Sequence, residues 1–446
     1  LNARALNAGI VLAILALIIV FATAMRVDDR ATFSQRNDRP SLETDLRQPH
    51  FTLADARALP YPLRSPRLDP RGADHAADLA LAGTESALVL ALTLLLRRVR
   101  DIPRAVWIPA FGGGIALAAT ALAARTVGSA DVYAYVAYAK LGLAASYAPA
   151  ADALPGAYRA IGAFWGDPIV ASVYGPLWLV FQSVVSGGAD LGGAVFGTRL
   201  LGLVSVAAFV ALLLRSPLPK RLAALACVNP ALYLEYVVNA HNDLIGVDLA
   251  LAAIVLGENA PFTAVALVTL AGLVKAPFVL FALVAFRRQP PARRGLYAAW
   301  TIGLVLAGSY VFGGETYLHA LAQRGTRDHV GTVAPRVVTA LIFSLGALGL
   351  VGVAAVAVTG RSVRGLAFAL AEAGFSTPQA WYFGWGFPLA ALDAWTLEAM
   401  LVAFPVVAGL LDRSYSYSLE PIGLAFLLIV AVAAAVFRPR RNAAGA

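Results

Sequence analysis

Three short stretches hold the residue types that could do chemistry in a chain otherwise dominated by alanine, leucine and valine. The first centres on Asp131, in Ser129-Ala130-Asp131-Val132-Tyr133-Ala134-Tyr135, and carries Asp167 and then Tyr174-Gly175-Pro176-Leu177 further along. The second is Asn239-Ala240-His241-Asn242-Asp243, preceded by Asn229-Pro230 and Glu235. The third is Lys275-Ala276-Pro277, whose lysine stands inside an apolar run. A carboxylate such as Asp131 can take the proton of an attacking hydroxyl. A cation such as Lys275 can steady an anionic leaving group. His241, Asn242 and Asp243 are polar groups at membrane depth, where they are costly and usually line a pathway or a site. Each also has a plain structural use. Asp131 can cap a helix at a membrane interface, Asn242 or Asp243 can cap the helix that follows, and Lys275 can snorkel from a helix end.

The elements that must position these residues are membrane helices. The 446 residues are 59% hydrophobic and 14% charged, with a mean hydropathy of +0.72, which places the chain among polytopic membrane proteins. The net charge of +9 sits in interruptions between apolar runs, so it reads as loop charge that orients helices and not as a nucleic-acid surface. With Cys227 as the one cysteine, an intrachain disulfide framework is impossible.

Arginine clusters set the expected orientation. Arg97-Arg98-Val99-Arg100 with Arg104, Arg215 to Arg221, Arg287 to Arg294, Arg361 with Arg364, and Arg438 to Arg441 should all be cytoplasmic. A first helix over 5–24, a polar and proline-bearing extracytoplasmic segment over 25–78, and a helix over 79–96 lead to the first cluster. The next helix, 105–124, then delivers Asp131 to the extracytoplasmic side. The segment from Tyr174 is short and glycine-punctuated, which points to re-entrant or partial insertion. Pro277 divides 261–286 into a hairpin of two half-helices with Lys275 near its outer turn. Spans at 295–313 and 337–358 bracket an outer loop with Glu315, His319, Arg324, Arg327 and Arg336, and spans at 396–411 and 421–437 close the chain. Trp381-Tyr382-Phe383-Gly384-Trp385, after Pro378-Gln379, reads first as an interfacial aromatic belt and second as a sugar platform.

The expected architecture is an all-α bundle of about 11–14 transmembrane or half-spanning helices with a large first extracytoplasmic loop. It divides into 1–104, a core over 105–393, and C-terminal helices with a basic tail over 394–446.

The order Asp131, Tyr174-Gly175-Pro176-Leu177, Asn229-Pro230, His241-Asn242-Asp243, Lys275-Ala276-Pro277 resembles the GT-C glycosyltransferases. More narrowly, it is similar to the bacterial polyprenyl-phosphomannose-dependent alpha-1,6-mannosyltransferases of lipoglycan assembly. The resemblance implies a multi-pass protein of the bacterial cytoplasmic membrane that moves a sugar from a polyprenyl-phosphate donor to a lipid-linked or glycan acceptor outside the cytoplasm. It places the essential acid of the first large loop on Asp131, with Asp167 as runner-up. Tyr135, Asp167, Tyr174, His241, Asn242, Asp243, Lys275, Arg327 and Gln379 are the expected substrate-binding residues. The resemblance names no certain cofactor and no metal ligand; a divalent cation is compatible with it, but the chain has a single acid where many relatives have a pair, which leaves metal dependence open. The other class the pattern admits is a transporter or flippase for a lipid-linked glycan, which would more typically show two matching halves; none is visible.

Overall fold

The computed structural model describes residues 3–35, 74–99, 102–124, 131–150, 171–189, 191–326 and 380–411. Among them every regular element is helical. Four helices are long and apolar enough to cross a membrane, and a bent pair makes a fifth span. The chain is therefore an all-α polytopic membrane protein. The spans expected at 337–358 and 421–437 lie outside the described residues.

Helix α1 (Ala3–Gln35) packs along α2 (Asp74–Leu96), which in turn lies against the last helix described. The polar segment over 25–78 is thus helical at both of its ends. Helix α3 (Arg104–Ala123) starts behind Pro103, whose fixed φ and missing N–H suit a helix start. It runs away from the Arg97 cluster and stops at Ala124.

Beyond α3 come α4 (Asp131–Leu141), α5 (Leu143–Tyr147) and α6 (Pro176–Ser186). Helix α6 has eleven residues, or about 16 Å at 1.5 Å per residue, so the Tyr174 segment does not span. Lys140 ties α4 alongside α6 by donating to the carbonyls of Ser186 and Ala189, each at 2.9 Å. These are carbonyls that a helix end leaves without intrahelical partners. Helix α7 (Leu191–Arg215) then makes a full span.

The next span is broken. Helix α8 (Arg221–Cys227) and α9 (Pro230–Tyr233), with its π turn over Leu234–Val238, meet at 51°. Pro230 begins α9, and Asn229 secures the break. Its amide oxygen accepts from the Ala231 N–H at 3.1 Å, and its nitrogen donates to the Leu401 carbonyl at 2.7 Å. Helices α10 (Asp243–Leu256) and α11 (Pro261–Val274) run antiparallel. After Lys275 a 3₁₀ turn (Ala276–Phe281) and α12 (Ala282–Ala285) complete the hairpin of half-helices expected from Pro277.

Helix α13 (Pro291–Thr326) is two helices that meet at Gly314, so the break expected after 313 is present, and what changes is the segment beyond it. It kinks at Gly314, where φ is +66°, a conformation open to glycine at little cost. Helix then continues through Glu315, His319 and Arg324, so these residues are not on a loop. A 3₁₀ turn (Ala380–Gly386), α14 (Phe387–Ala390) and α15 (Ala394–Leu411) end the described chain.

The arginine clusters that begin α8 and end α2 meet at one end of the bundle. Arg97 binds Glu398 of α15 through Nε and Nη2, at 3.1 and 3.0 Å, and Arg221 Nε approaches the same carboxylate at 3.4 Å. From that end α3 and the α8–α9 span both lead toward Asp131 and His241.

Candidate active site

The Asp131 and His241 stretches converge because the π turn adds a residue to the coil at the end of α9. The Asn239 N–H reaches the Leu234 carbonyl at 2.9 Å, and the His241 N–H reaches that of Glu235 at 3.1 Å. Ala240 takes a φ of +55°, an uncommon conformation for a residue with a Cβ and one that often marks a functional turn. The result aims the His241 ring at α4. His241 Nδ1 lies 3.3 Å from Asp131 Oδ2, while Nε2 lies 3.9 Å from Glu235 Oε2. The Glu235 and His241 side chains are fully buried, whereas that of Asp131 keeps 13% of its surface. Asp131 is thus the open end of an acid–imidazole–acid line.

Lys275 meets the same group from the other side. Its Nζ donates to Asp243 Oδ1 at 2.7 Å, and the Trp385 indole N–H donates to that oxygen at 2.6 Å. Lys275 also lies over the rings of Tyr382 and Trp385, 4.5 and 5.0 Å from their centroids, a placement that favours a cation. Two sequence expectations change here. Lys275 is not an isolated cation, because Asp243 pairs with it. The Trp381–Trp385 cluster is not an interfacial belt where it is described: Trp385 is buried and bonded to Asp243.

Tyr135 links the two halves. Its hydroxyl donates to Asn242 Oδ1 at 3.3 Å. Burial first, and then the charges of Asp131 and Asp243, push this phenol well above its ordinary pKa, so it remains a donor. The ring stands edge-on to Tyr174 and Trp178, with centroids 4.7 and 5.0 Å away. Tyr174 is held in turn by its carbonyl, which accepts from Tyr147 Oη at 3.0 Å. Gly175 explains the rest of its motif. Its N–H donates to the Val274 carbonyl at 2.9 Å, and a Cβ there would run into the backbone of Leu273. The glycine lets the start of α6 lie against the chain just before Lys275.

Of the residues expected from sequence, Asp131, Tyr135, Tyr174, His241, Asn242, Asp243 and Lys275 are brought into this one cluster. Asp167, Arg327 and Gln379 lie outside the described residues. Glu235, read from sequence as an intramembrane acid but given no site role, belongs to the cluster, as do Tyr382 and Trp385. Arg199 of α7 was passed over. It is fully buried and donates to the carbonyls of Val238 at 3.0 Å and Ala124 at 2.6 Å. It therefore ties the turn before His241 to the end of α3, from which the Asp131 segment departs. A lone charge inside an apolar run, the signal that singled out Lys275, was present at Arg199 too.

Among the described residues, the two acids beside the His241 ring do not meet on one divalent cation. Asp131 and Glu235 face opposite nitrogens of one ring, so they cannot converge with it on a single ion. Among the described residues no group of three or more His, Cys, Asp or Glu side chains could hold a metal.

Residues 68–287 match the family model for the alpha-(1->6)-mannopyranosyltransferase, N-terminal domain. This region is a mannosyltransferase domain of the GT-C type. The match takes in every residue of the cluster except Tyr382 and Trp385, which reach the mannosyltransferase site from beyond the matched residues. No curated protein and no solved structure matches the chain. The chain is a membrane glycosyltransferase that transfers mannose.

Proposed function

We propose that this mannosyltransferase takes mannose from a polyprenyl-phosphate donor. It passes the sugar to a lipid-linked or glycan acceptor on the extracytoplasmic side of the bacterial cytoplasmic membrane. The observation that carries this reading is the layout of the cluster: a partly open carboxylate, Asp131, on one side and a buried cation, Lys275, on the other. Asp131 accepts the proton of the acceptor hydroxyl as its oxygen bonds to the anomeric carbon. The bond from that carbon to the phosphate oxygen breaks, and the lipid phosphate leaves with the electron pair. Lys275 faces the charge that gathers there. An ammonium has three donors, of which Asp243 takes one, so a phosphate oxygen can be met while the pair with Asp243 persists.

Charge supports this face. Arg97 and Arg221 share Glu398 at the end of the bundle opposite the site, and arginine-rich ends of membrane proteins favour the cytoplasm. A donor already anchored in the bilayer also fits a site built among membrane helices.

Purified protein in proteoliposomes, supplied with radiolabelled polyprenyl-phosphate mannose and a membrane-derived acceptor fraction, tests the donor. Label should move to the acceptor without any nucleotide sugar. Transfer only from nucleotide-linked mannose would overturn the lipid-donor reading. Passage of an intact lipid-linked glycan across the bilayer with no new glycosidic bond would instead support a flippase.

A further inference from the structure

Asn242 and Asp243 are each held by one side-chain atom while another polar atom is left over. Asn242 is 1% exposed and Asp243 is fully buried. Tyr135 takes up the oxygen of the Asn242 amide, and because the phenol stays protonated the amide nitrogen must point elsewhere. Among the described residues that nitrogen, Nδ2, has no hydrogen-bond partner. Lys275 and Trp385 both donate to Asp243 Oδ1, and among the described residues the second oxygen, Oδ2, has no partner either. Two consecutive residues therefore present one unmet donor and one unmet acceptor. Buried polar atoms are rarely left so, because each forfeits its hydration without return.

We propose that Asn242 Nδ2 and Asp243 Oδ2 clamp two neighbouring hydroxyls of the transferred sugar. The amide donates to one hydroxyl oxygen, and the carboxylate accepts the proton of the next. This rests on the reading of the cluster as the transfer site and adds the part of the substrate it recognises.

A sugar diol fits where other ligands do not. Every hydroxyl both donates and accepts, so adjacent hydroxyls can satisfy an amide N–H and a carboxylate oxygen together. A phosphate would bring its charge against Asp243. The position also agrees with the order of atoms in the reaction. Asn242 is joined through Tyr135 to the helix that begins at Asp131, and Asp243 is joined directly to Lys275. The clamp thus lies between the group that receives the acceptor proton and the cation assigned to the phosphate. The side chains of Asp131 and Lys275 keep 13% and 11% of their surface exposed.

The test is a scan of polyprenyl-phosphate mannose analogues, each lacking one ring hydroxyl, with full-length protein in proteoliposomes. In the parent protein, loss of either of two adjacent hydroxyls should lower kcat/KM about tenfold to hundredfold, and the remaining positions should matter little. Asn242→Ala should be indifferent to one of those two losses, and Asp243→Ala to the other, since the hydroxyl and its partner form a single interaction. If either variant fails to fold, the parent scan still decides. Equal sensitivity at all positions, or sensitivity at two positions that are not adjacent, overturns the clamp. In a variant that folds, hydroxyl losses that simply multiply with the substitution overturn it as well. No transfer from the unmodified donor by the parent protein would instead be a failure of the underlying functional reading.

Discussion

Asp131→Asn is expected to reach the membrane and bind donor like the parent while losing about a hundredfold to ten-thousandfold in transfer rate. Asparagine keeps the shape of the side chain and can still approach His241, but it takes no proton at neutral pH. Asp131 is the acid of the acid–imidazole–acid line that retains exposed surface, whereas Glu235 is sealed. An acceptor hydroxyl can therefore reach Asp131 and not Glu235. Steady-state transfer at saturating donor, with donor affinity measured separately, distinguishes a lost base from a lost binding contact. Asp167→Asn should be milder. A severe loss in Asp167→Asn with a mild one in Asp131→Asn would move the base to Asp167. Full activity in both would remove the loop from the chemistry.

The second large effect is expected at Lys275. Lys275→Ala leaves Asp243 buried with its charge uncompensated, and breaking such a pair typically costs about 3–5 kcal/mol. The variant should unfold earlier on heating, and its folded fraction should also turn over donor poorly. Lys275→Arg separates these two consequences. A guanidinium can pair with the carboxylate, so most of the stability should return. It differs from an ammonium in shape and hydration at a site fitted to lysine, so turnover should return only in part. Thermal unfolding in detergent and donor kinetics are the two readouts. A destabilised Lys275→Ala protein whose folded fraction keeps parental turnover would reduce Lys275 to a counter-ion for Asp243.

Much of the site was legible because a charge inside an apolar run is costly and demands a reason. Lys275 beside Pro277 announced both the broken helix and its polar turn, and the short, glycine-rich stretch after Tyr174 announced a segment that does not span. The arginine clusters put Asp131 and His241 at the same end before any contact between them was known. What sequence did not provide was the pairing itself. That His241 faces Asp131 depends on the π turn at Leu234–Val238, and an extra residue in a helical coil leaves no mark in the hydrophobic pattern.

The aromatic cluster at Trp381–Trp385 failed for a related reason. A belt at the headgroups and a wall beside a buried ion pair have the same composition, and only the bond from Trp385 to Asp243 tells them apart. The span at 295–313 does break at Gly314, but a second helix and not a loop follows it. Arg199 was readable by the same argument as Lys275. Its partners, two backbone carbonyls from distant segments, were not.

The placement of the site at the extracytoplasmic end is open to one direct measurement. Cys227 is buried and is replaced by alanine, and single cysteines are then introduced at two exposed positions. Ala150 lies shortly after α5, on the Asp131 side, and Arg98 lies at the end of α2, beside the Arg97–Glu398 pair. A membrane-impermeant maleimide added to intact cells should label Ala150→Cys and leave Arg98→Cys untouched until the membrane is opened. Labelling of Arg98→Cys from outside, with Ala150→Cys protected until permeabilisation, would put Asp131, His241 and Lys275 on the cytoplasmic side and contradict extracytoplasmic transfer.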